Sequence, residues 1–363
     1  MYVLRHLKRV INNKNKKGYL LNMNKDATMI EPAFTERNIP VVFATDQNYA
    51  LYSTVFLQSL IRNSSAENNY DLILFEDSLP DSMKEKLASL VLNRKNFSLR
   101  FFSLEQELQK YPENIFYSPA YYSKTIYFRL FIPTILQNYK KVIYLDIDTI
   151  LLADVAELFA TQLEEKPVAA YIEPPMKRFF STPDYFNSGV LVMNIPKLNE
   201  LDLLKQSLAV LSKYTKLASP DQDVLNMLYT GNFISLSFLW NFFAFAEEKY
   251  IKKTSDYDAY KEILLKKKSP NLIHYASWQK PWNTPEGYFS ELWWRYARQL
   301  PFFPAIERQS YIDQAKTFRK KYWEITNSTT WKMTYPLRNL YDLCKYNIPI
   351  FARKIQAKLF GSI

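Results

Sequence analysis

The sequence predicts an α/β fold: a mostly parallel sheet with helices on both faces. Three observations point there. Strand-length apolar runs alternate with helix-length amphipathic stretches from Ile39 onward. Two of the runs, Pro40-Val-Val-Phe-Ala-Thr45 and Lys141-Val-Ile-Tyr-Leu145, are predominantly apolar and end at Asp46 and Asp146. Buried parallel strands with polar C-terminal loops have that appearance. The 363 residues are 48% hydrophobic and 23% charged, which suffices for a large core.

The elements follow in order. After the first strand, Leu51, Val55, Phe56 and Leu60 recur at helical spacing and predict a helix over Ala50–Arg62. Leu72–Phe75 reads as a second strand. Pro80, with φ already suited to a first turn, opens a helix that runs to about Val91. Phe97–Phe102 is a third strand, Ser123–Leu136 a helix and Lys141–Leu145 a fourth strand. Later strands are expected at Val168–Ile172, Gly189–Asn194, Phe233–Ser237 and Asn271–Tyr275, with helices at Asn199–Lys213, Asp221–Tyr229 and Tyr257–Lys266. Ligands of open α/β sheets bind beyond the carboxyl ends of strands, where Asp46 and Asp146 fall.

Composition removes several classes of function. Five scattered glycines form neither a G-x-G-x-x-G fingerprint nor a P-loop. A single cysteine, Cys344, excludes an intrachain disulfide framework and a Cys-based zinc site. The chain has two histidines, His6 and His274, so either becomes informative inside a motif. The net charge of +11 is uneven: +6 over residues 1–30, +8 over 308–363 and −3 between them. Basic ends around a mildly acidic middle argue against a nucleic-acid-binding core and for an anionic surface as partner.

Three segments follow: a loosely ordered basic leader (1–35), a catalytic α/β domain (36–300) and a basic, aromatic-rich helical tail (301–363). Val224–Ala246 lacks charge, but Asn226, Thr230, Asn232, Ser235, Ser237 and Asn241 interrupt it too often for a lipid-spanning helix. The N-terminus carries no apolar run followed by a small-residue cleavage site. A cytoplasmic location is therefore expected. The tail interleaves cations with Phe318, Tyr322, Trp323 and Trp331, the chemistry of contact with an anionic membrane surface, here the inner face of the plasma membrane. A small helical subdomain with a solvated basic face reads the same way.

Asp146-Ile147-Asp148 is the sharpest local feature. On an extended turn, residues i and i+2 project to one side, and two carboxylates so placed can chelate one hard divalent cation. Alone, the triplet also describes a solvated turn. His274 ends an apolar strand, and a neutral imidazole suits Mn²⁺ or Zn²⁺. Lys280 follows six residues later as a point charge within reach of a phosphate. Asp221 and Asp223, after Pro220, would equally open a helix.

Together, Thr45-Asp46-Gln47-Asn48-Tyr49, Tyr144-Leu145-Asp146-Ile147-Asp148, Phe186-Asn187-Ser188-Gly189-Val190, Pro220-Asp221-Gln222-Asp223 and His274…Lys280-Pro281-Trp282 resemble the motif series of glycosyltransferase family 8. The likeness spans about Ile39–Trp282 and comes nearest the bacterial galactosyl- and glucosyltransferases that build lipopolysaccharide-type glycans. It implies a GT-A fold with a Rossmann-like sheet, a UDP-sugar donor, Mn²⁺ (Mg²⁺ as the alternative ion) and retention of anomeric configuration. By the resemblance, Asp146, Asp148 and His274 hold the metal. Ala44, Asp46 and Asn48 line the uridine site, Arg129 contacts the donor, and Lys280 binds diphosphate. Asn187, Asp221 and Gln222 meet the donor sugar as the catalytic set. Ser277 stands where the family usually has the glycine that lets backbone approach diphosphate. Glu173 corresponds to a carboxylate on the strand after the Asp-x-Asp segment, with one more methylene.

The implied reaction moves galactose or glucose from UDP to a lipopolysaccharide or other lipid-linked glycan acceptor. Two other readings stay open at the level of sequence. One is a nucleotidyltransferase that makes a sugar nucleotide; the other is a non-catalytic, membrane-associated glycan-binding module.

Overall fold

The computed structural model of the chain describes residues 29–117, 123–173, 184–214, 217–244, 256–265, 267–277 and 279–334. Most of the expected leader, Trp278 and the tail beyond residue 334 lie outside them. The chain divides into two compact units, Met1–Ile306 and Glu307–Ile363.

The first unit is built on a seven-stranded sheet in the order β3-β2-β1-β4-β7-β6-β8. Its strands are β1 (Asn38–Asp46), β2 (Asn69–Asp77), β3 (Phe97–Ser103), β4 (Lys141–Leu145), β6 (Val168–Ile172), β7 (Phe186–Asn194) and β8 (Ile234–Ser235). The strands β3, β2, β1 and β4 are parallel, and β7 runs antiparallel to β4 and β6 on either side of it. A second sheet, in the order β5-β10-β9, joins Thr149–Leu151 (β5), Leu272–His274 (β10) and Phe242–Phe243 (β9).

Side-chain alternation along β1 explains the two-sided core. Val41 and Phe43 join one apolar layer, and Val42 and Ala44 join the other. The first layer holds the helix Ala50–Arg62, through Val55, Phe56 and Leu60. The second holds Tyr127, Phe128 and Phe131, together with Val224 and Leu225. The interior of β1 is buried on both faces, which accounts for its nearly unbroken apolar run.

The expected helices at Ala50–Arg62 and Asp221–Tyr229 form, the second beginning one residue early at Pro220. The stretch expected as one helix over Ser123–Leu136 is a 3₁₀ helix (Lys124–Phe131) followed by a single α turn (Ile132–Ile135) with Pro133 as its second residue. A proline near the start of a turn is tolerated there but cannot extend a hydrogen-bonded helix behind it. The expected strand Phe233–Ser237 shortens to two residues, and β5 and β9 had no signal of their own at three and two residues.

The second unit continues the helix Phe303–Asn327 and adds Thr329–Met333, whose first turn is capped by the Ser328 side chain accepting from the Trp331 N–H. Tyr311, Phe318, Tyr322 and Ile325 are exposed and recur at helical spacing along one side. No helix among the described residues is long and apolar enough to cross a membrane.

Candidate active site

The small sheet brings distant residues together. After β4 ends at Leu145, the chain turns through Asp146 and Asp148 into β5, and β10 pairs antiparallel with β5, placing His274 opposite Thr149. The Tyr275 N–H then donates to the Asp148 carbonyl at 2.9 Å, extending the ladder by one rung. On the other side, the Asp146 N–H donates to the Gly189 carbonyl at 2.8 Å, which ties Asp146 to β7.

The outcome is a cluster of Asp146, Asp148 and His274, with one ligand atom of each within 4.8 Å of the others. His274 Nε2 lies 3.2 Å from Asp148 Oδ1 and 3.9 Å from Asp146 Oδ2. Each carboxylate has its other oxygen engaged. Asp146 Oδ1 accepts from Tyr144 Oη and Arg129 Nη2, both at 2.8 Å. Asp148 Oδ2 accepts from Lys280 Nζ. Asp148 Oδ1 is buried and makes no hydrogen bond among the described residues. Burying an unsatisfied carboxylate oxygen is costly unless a cation takes it up. Two carboxylates and one imidazole, with an orphaned oxygen aimed at the imidazole, fit a divalent cation of intermediate softness. Burial works against ionisation of Asp148, but the neighbouring Lys280 ammonium pulls the other way, and the carboxyl is held below the usual range.

Behind this cluster sits Arg129, almost fully buried on the 3₁₀ helix. Its guanidinium donates to Ser188 O and Oγ, pairs with Asp146 and with Asp221 at 3.1 Å, and stacks on the Tyr144 ring at 4.4 Å. Burial alone would weaken its charge, but Asp146 and Asp221 more than restore it. These contacts make Arg129 the organiser of two carboxylates. Burial also raises the carboxyl of Asp221, against the pull of Arg129.

Asn187, Asp221 and Gln222 meet in one buried polar cluster. Asn226, buried on the helix Pro220–Tyr229, docks that helix on β7: its amide exchanges two 2.8 Å bonds with the backbone of Phe186. One turn earlier on that helix, Gln222 Oε1 accepts from Ser188 N–H and Asn187 Nδ2, both at 3.0 Å, and Gln222 Nε2 donates to Glu173 Oε1 at 3.1 Å. Asn187 Nδ2 also donates to Glu173 Oε1 at 2.8 Å, and Ser188 Oγ donates to Asp221 Oδ2 at 2.9 Å.

The remaining expected residues lie at the same sheet edge. Because β1 runs parallel beside β4, with Val42 level with Tyr144, Ala44 and Asp46 end beside Asp146. Asp46 Oδ1 accepts from the N–H groups of Asn48 and Tyr49 at 2.8 and 3.0 Å, so it also caps the turn into the helix Ala50–Arg62. Asn48 is exposed. In the loop after β10, the Ser277 N–H donates to the Tyr275 carbonyl at 2.8 Å, which commits that backbone amide within the turn. The Lys280 ammonium also donates to Tyr275 O at 2.6 Å.

Two contributors were not singled out in the sequence: Ser188, joined to both Arg129 and Asp221, and Asn241, which bonds His274 Nδ1 at 2.8 Å. Asn241 is fully buried, the lone amide in Phe238-Leu-Trp-Asn241-Phe-Phe243. A polar residue inside such an aromatic run must find partners when buried, and that was the available signal.

The comparisons with known proteins agree with this architecture. The sequence profile described as Glycosyl transferase family 8 matches residues 40–285. The chain is 28% identical over 261 residues to the lipopolysaccharide 1,2-glucosyltransferase of Escherichia coli strain K12, covering 69% of this chain and 74% of that one. It is 24% identical over 308 residues to the glycosyltransferase GlyF of Streptococcus pneumoniae, covering 83% and 73%. Among solved structures, the bifunctional glycosyltransferase WbbM aligns at TM-score 0.64 and 26% identity over 79% of this chain, about half (53%) of that protein. The galactosyltransferase LgtC aligns at TM-score 0.60 and 22% identity, over 72% of this chain and 96% of LgtC, a likeness of fold. The fold is GT-A, and the chain belongs to glycosyl transferase family 8.

Proposed function

We propose that this glycosyltransferase moves a hexose, galactose or glucose, from a UDP-sugar to a cell-surface glycan acceptor, with Mn²⁺ as cofactor and retention of configuration. The acceptor is of the lipopolysaccharide or lipid-linked type. The observation that carries the reading is the convergence of Asp146, Asp148 and His274 beside a buried Glu173–Asn187–Gln222 cluster. Its division of labour is a catalytic domain over residues 36–300 and a basic tail from 301.

Leaving-group departure from a nucleotide sugar builds negative charge on diphosphate, and only groups that meet this charge in the transition state raise the rate. A bound divalent cation supplies Lewis-acid stabilisation there. Asp146 Oδ2, Asp148 Oδ1 and His274 Nε2 would hold it. Lys280, on the opposite oxygen of Asp148, is positioned to exchange that partner for a phosphate oxygen. Ala44, Asp46 and Asn48, at the end of β1, would receive the uridine. Asn187 and Asp221 would orient the sugar.

Same-face attack by the acceptor is the favoured route to retention. Gln222 Oε1 already accepts two hydrogen bonds, which lowers its nucleophilicity further below that of an ordinary amide. Gln222 therefore positions and does not form a glycosyl adduct. The tail's exposed Phe318, Tyr322 and Trp323, flanked by Arg319, Lys320 and Lys321, supports peripheral attachment to the cytoplasmic face of the plasma membrane.

The test is UDP release from UDP-glucose, UDP-galactose and their N-acetyl forms with Mn²⁺. One hexose donor is expected to be hydrolysed slowly, and Asp148→Ala should abolish it. Release of pyrophosphate would identify a nucleotidyltransferase. Binding without turnover of any donor would indicate a glycan-binding module.

A further inference from the structure

We propose that Asn241 is a positioning residue that fixes the tautomer of His274, and that the setting originates in the backbone N–H of Gly189. A backbone N–H can only donate. The Gly189 N–H donates to Asn187 Oδ1 at 2.9 Å, so the oxygen of that amide faces the backbone. The other end of the amide, Nδ2, then faces Glu173 and Gln222, as their acceptor oxygens require. Asn187 Oδ1 also lies 2.9 Å from Asn241, which must present its NH₂ there. Turning the Asn241 amide over would set two acceptor oxygens against each other at that distance.

With Nδ2 committed, Asn241 Oδ1 is the atom 2.8 Å from His274 Nδ1. An oxygen at that position accepts, so the imidazole carries its proton on Nδ1. The Nε2 lone pair is then directed toward Asp146 and Asp148, the form an imidazole needs in order to ligate a cation. Asn241 and His274 are both essentially inaccessible to water, so no solvent molecule competes for these bonds. The backbone supports the arrangement: β9 pairs parallel with β10, with Phe243 level with His274, which brings Asn241 alongside the imidazole.

One line of hydrogen bonds thus runs from the metal-facing imidazole through Asn241 and Asn187 to Glu173 and to Gln222, of which Gln222 is among the groups proposed to meet the donor sugar. The tautomer assignment stands on hydrogen-bond geometry; its use in metal binding rests on the proposed function.

Two histidines make a spectroscopic test direct. In the full chain labelled with [¹⁵N]histidine, with His6→Gln leaving a single imidazole, long-range ¹H–¹⁵N correlation at about pH 8.5, above the ordinary imidazole range, reports the neutral tautomer. A pyrrole-type Nδ1 and a pyridine-type Nε2 are expected. Asn241→Leu should shift the population toward Nε2–H and weaken Mn²⁺ binding, read by paramagnetic titration, about 10–100-fold. Asn241→Asp, which keeps an acceptor toward Nδ1, should retain the Nδ1–H form. An Nε2–H imidazole in the unaltered site overturns the proposal even if neither variant folds, and so does an unchanged tautomer in folded Asn241→Leu. The Nδ1–H form in a protein that does not bind Mn²⁺ would support the tautomer assignment and overturn the metal reading alone.

Discussion

The imidazole of His274 lies on the backbone of Gly189: a Cβ at position 189 would overlap His274 Cε1 and Asp146 Oδ2. Glycine is needed here for space. The same backbone hands its carbonyl to the Asp146 N–H and its own N–H to Asn187. Gly189→Ala is therefore expected to push the imidazole away from the carboxylates. Overpacking of this kind costs about 1–3 kcal/mol. Urea unfolding should register that loss, and Mn²⁺ titration should show weaker binding in the protein that remains folded. Binding and stability equal to the unaltered chain would contradict the close packing.

Arg129 neutralises two carboxylates at once, so Arg129→Met leaves Asp146 and Asp221 without their shared cation. Breaking a buried pair on one side costs about 3–5 kcal/mol. Arg129→Lys should recover only part of this, because an ammonium cannot reach Ser188, Asp146 and Asp221 as a planar fork. Thermal unfolding of the two variants beside the parent gives the comparison; equal midpoints for Lys and Arg would rule out the fork.

Tyr70 couples stability to alkaline pH. Its hydroxyl donates to Asp154 at 2.8 Å and accepts from the Ser65 N–H at 2.9 Å. Burial, then the bond to Asp154, pushes the phenol up to about 12 from 10.0. The folded chain holds this proton more tightly than the unfolded one, so the contribution is complete below pH 10 and is lost as pH climbs toward 12. Tyr70→Phe should lower stability at neutral pH by about 1–3 kcal/mol through the orphaned partners, and should decline less steeply between pH 10 and 12 than the parent. Denaturant midpoints across that range measure both effects.

The aromatic side of the helix Phe303–Asn327 is expected to carry lipid binding. Replacing Phe318, Tyr322 and Trp323 with serine removes the apolar anchors, while Lys320→Glu with Lys321→Glu reverses the nearby charge. Near an anionic bilayer each basic residue contributes roughly 1 kcal/mol. Co-sedimentation with phosphatidylglycerol vesicles should fall in both variants, and with the charge variant most at low salt. Undiminished sedimentation of both would leave the tail without this role.

The sheet was largely legible because its strands are long apolar runs bounded by polar turns. Lys141–Leu145 and Val168–Ile172 were readable to the residue for that reason. The small sheet was not, since β5 and β9 gain their order from pairing with β10 rather than from their own composition. Among the site residues, Asp146, Asp148 and His274 stood out as motif chemistry. Arg129 was visible as a residue but not as a bridge between Asp146 and Asp221, because that partnership depends on how the 3₁₀ helix packs against β1 and the helix Pro220–Tyr229. Asn241 entered the sequence reading only as one polar interruption of an uncharged stretch. Its partners, Asn187 and His274, lie far from it along the chain, and only the fold brings three amide and imidazole groups into line.

The order of assembly matters as well. Both carboxylates are present once β4 and its turn have formed, but the imidazole arrives on β10, the last strand of the described chain. A nascent polypeptide halted before residue 272 would carry the acids beside Arg129 with nothing to complete the cluster. Completion of the three-residue cluster therefore waits on the small sheet, whose central strand is the last to be synthesised.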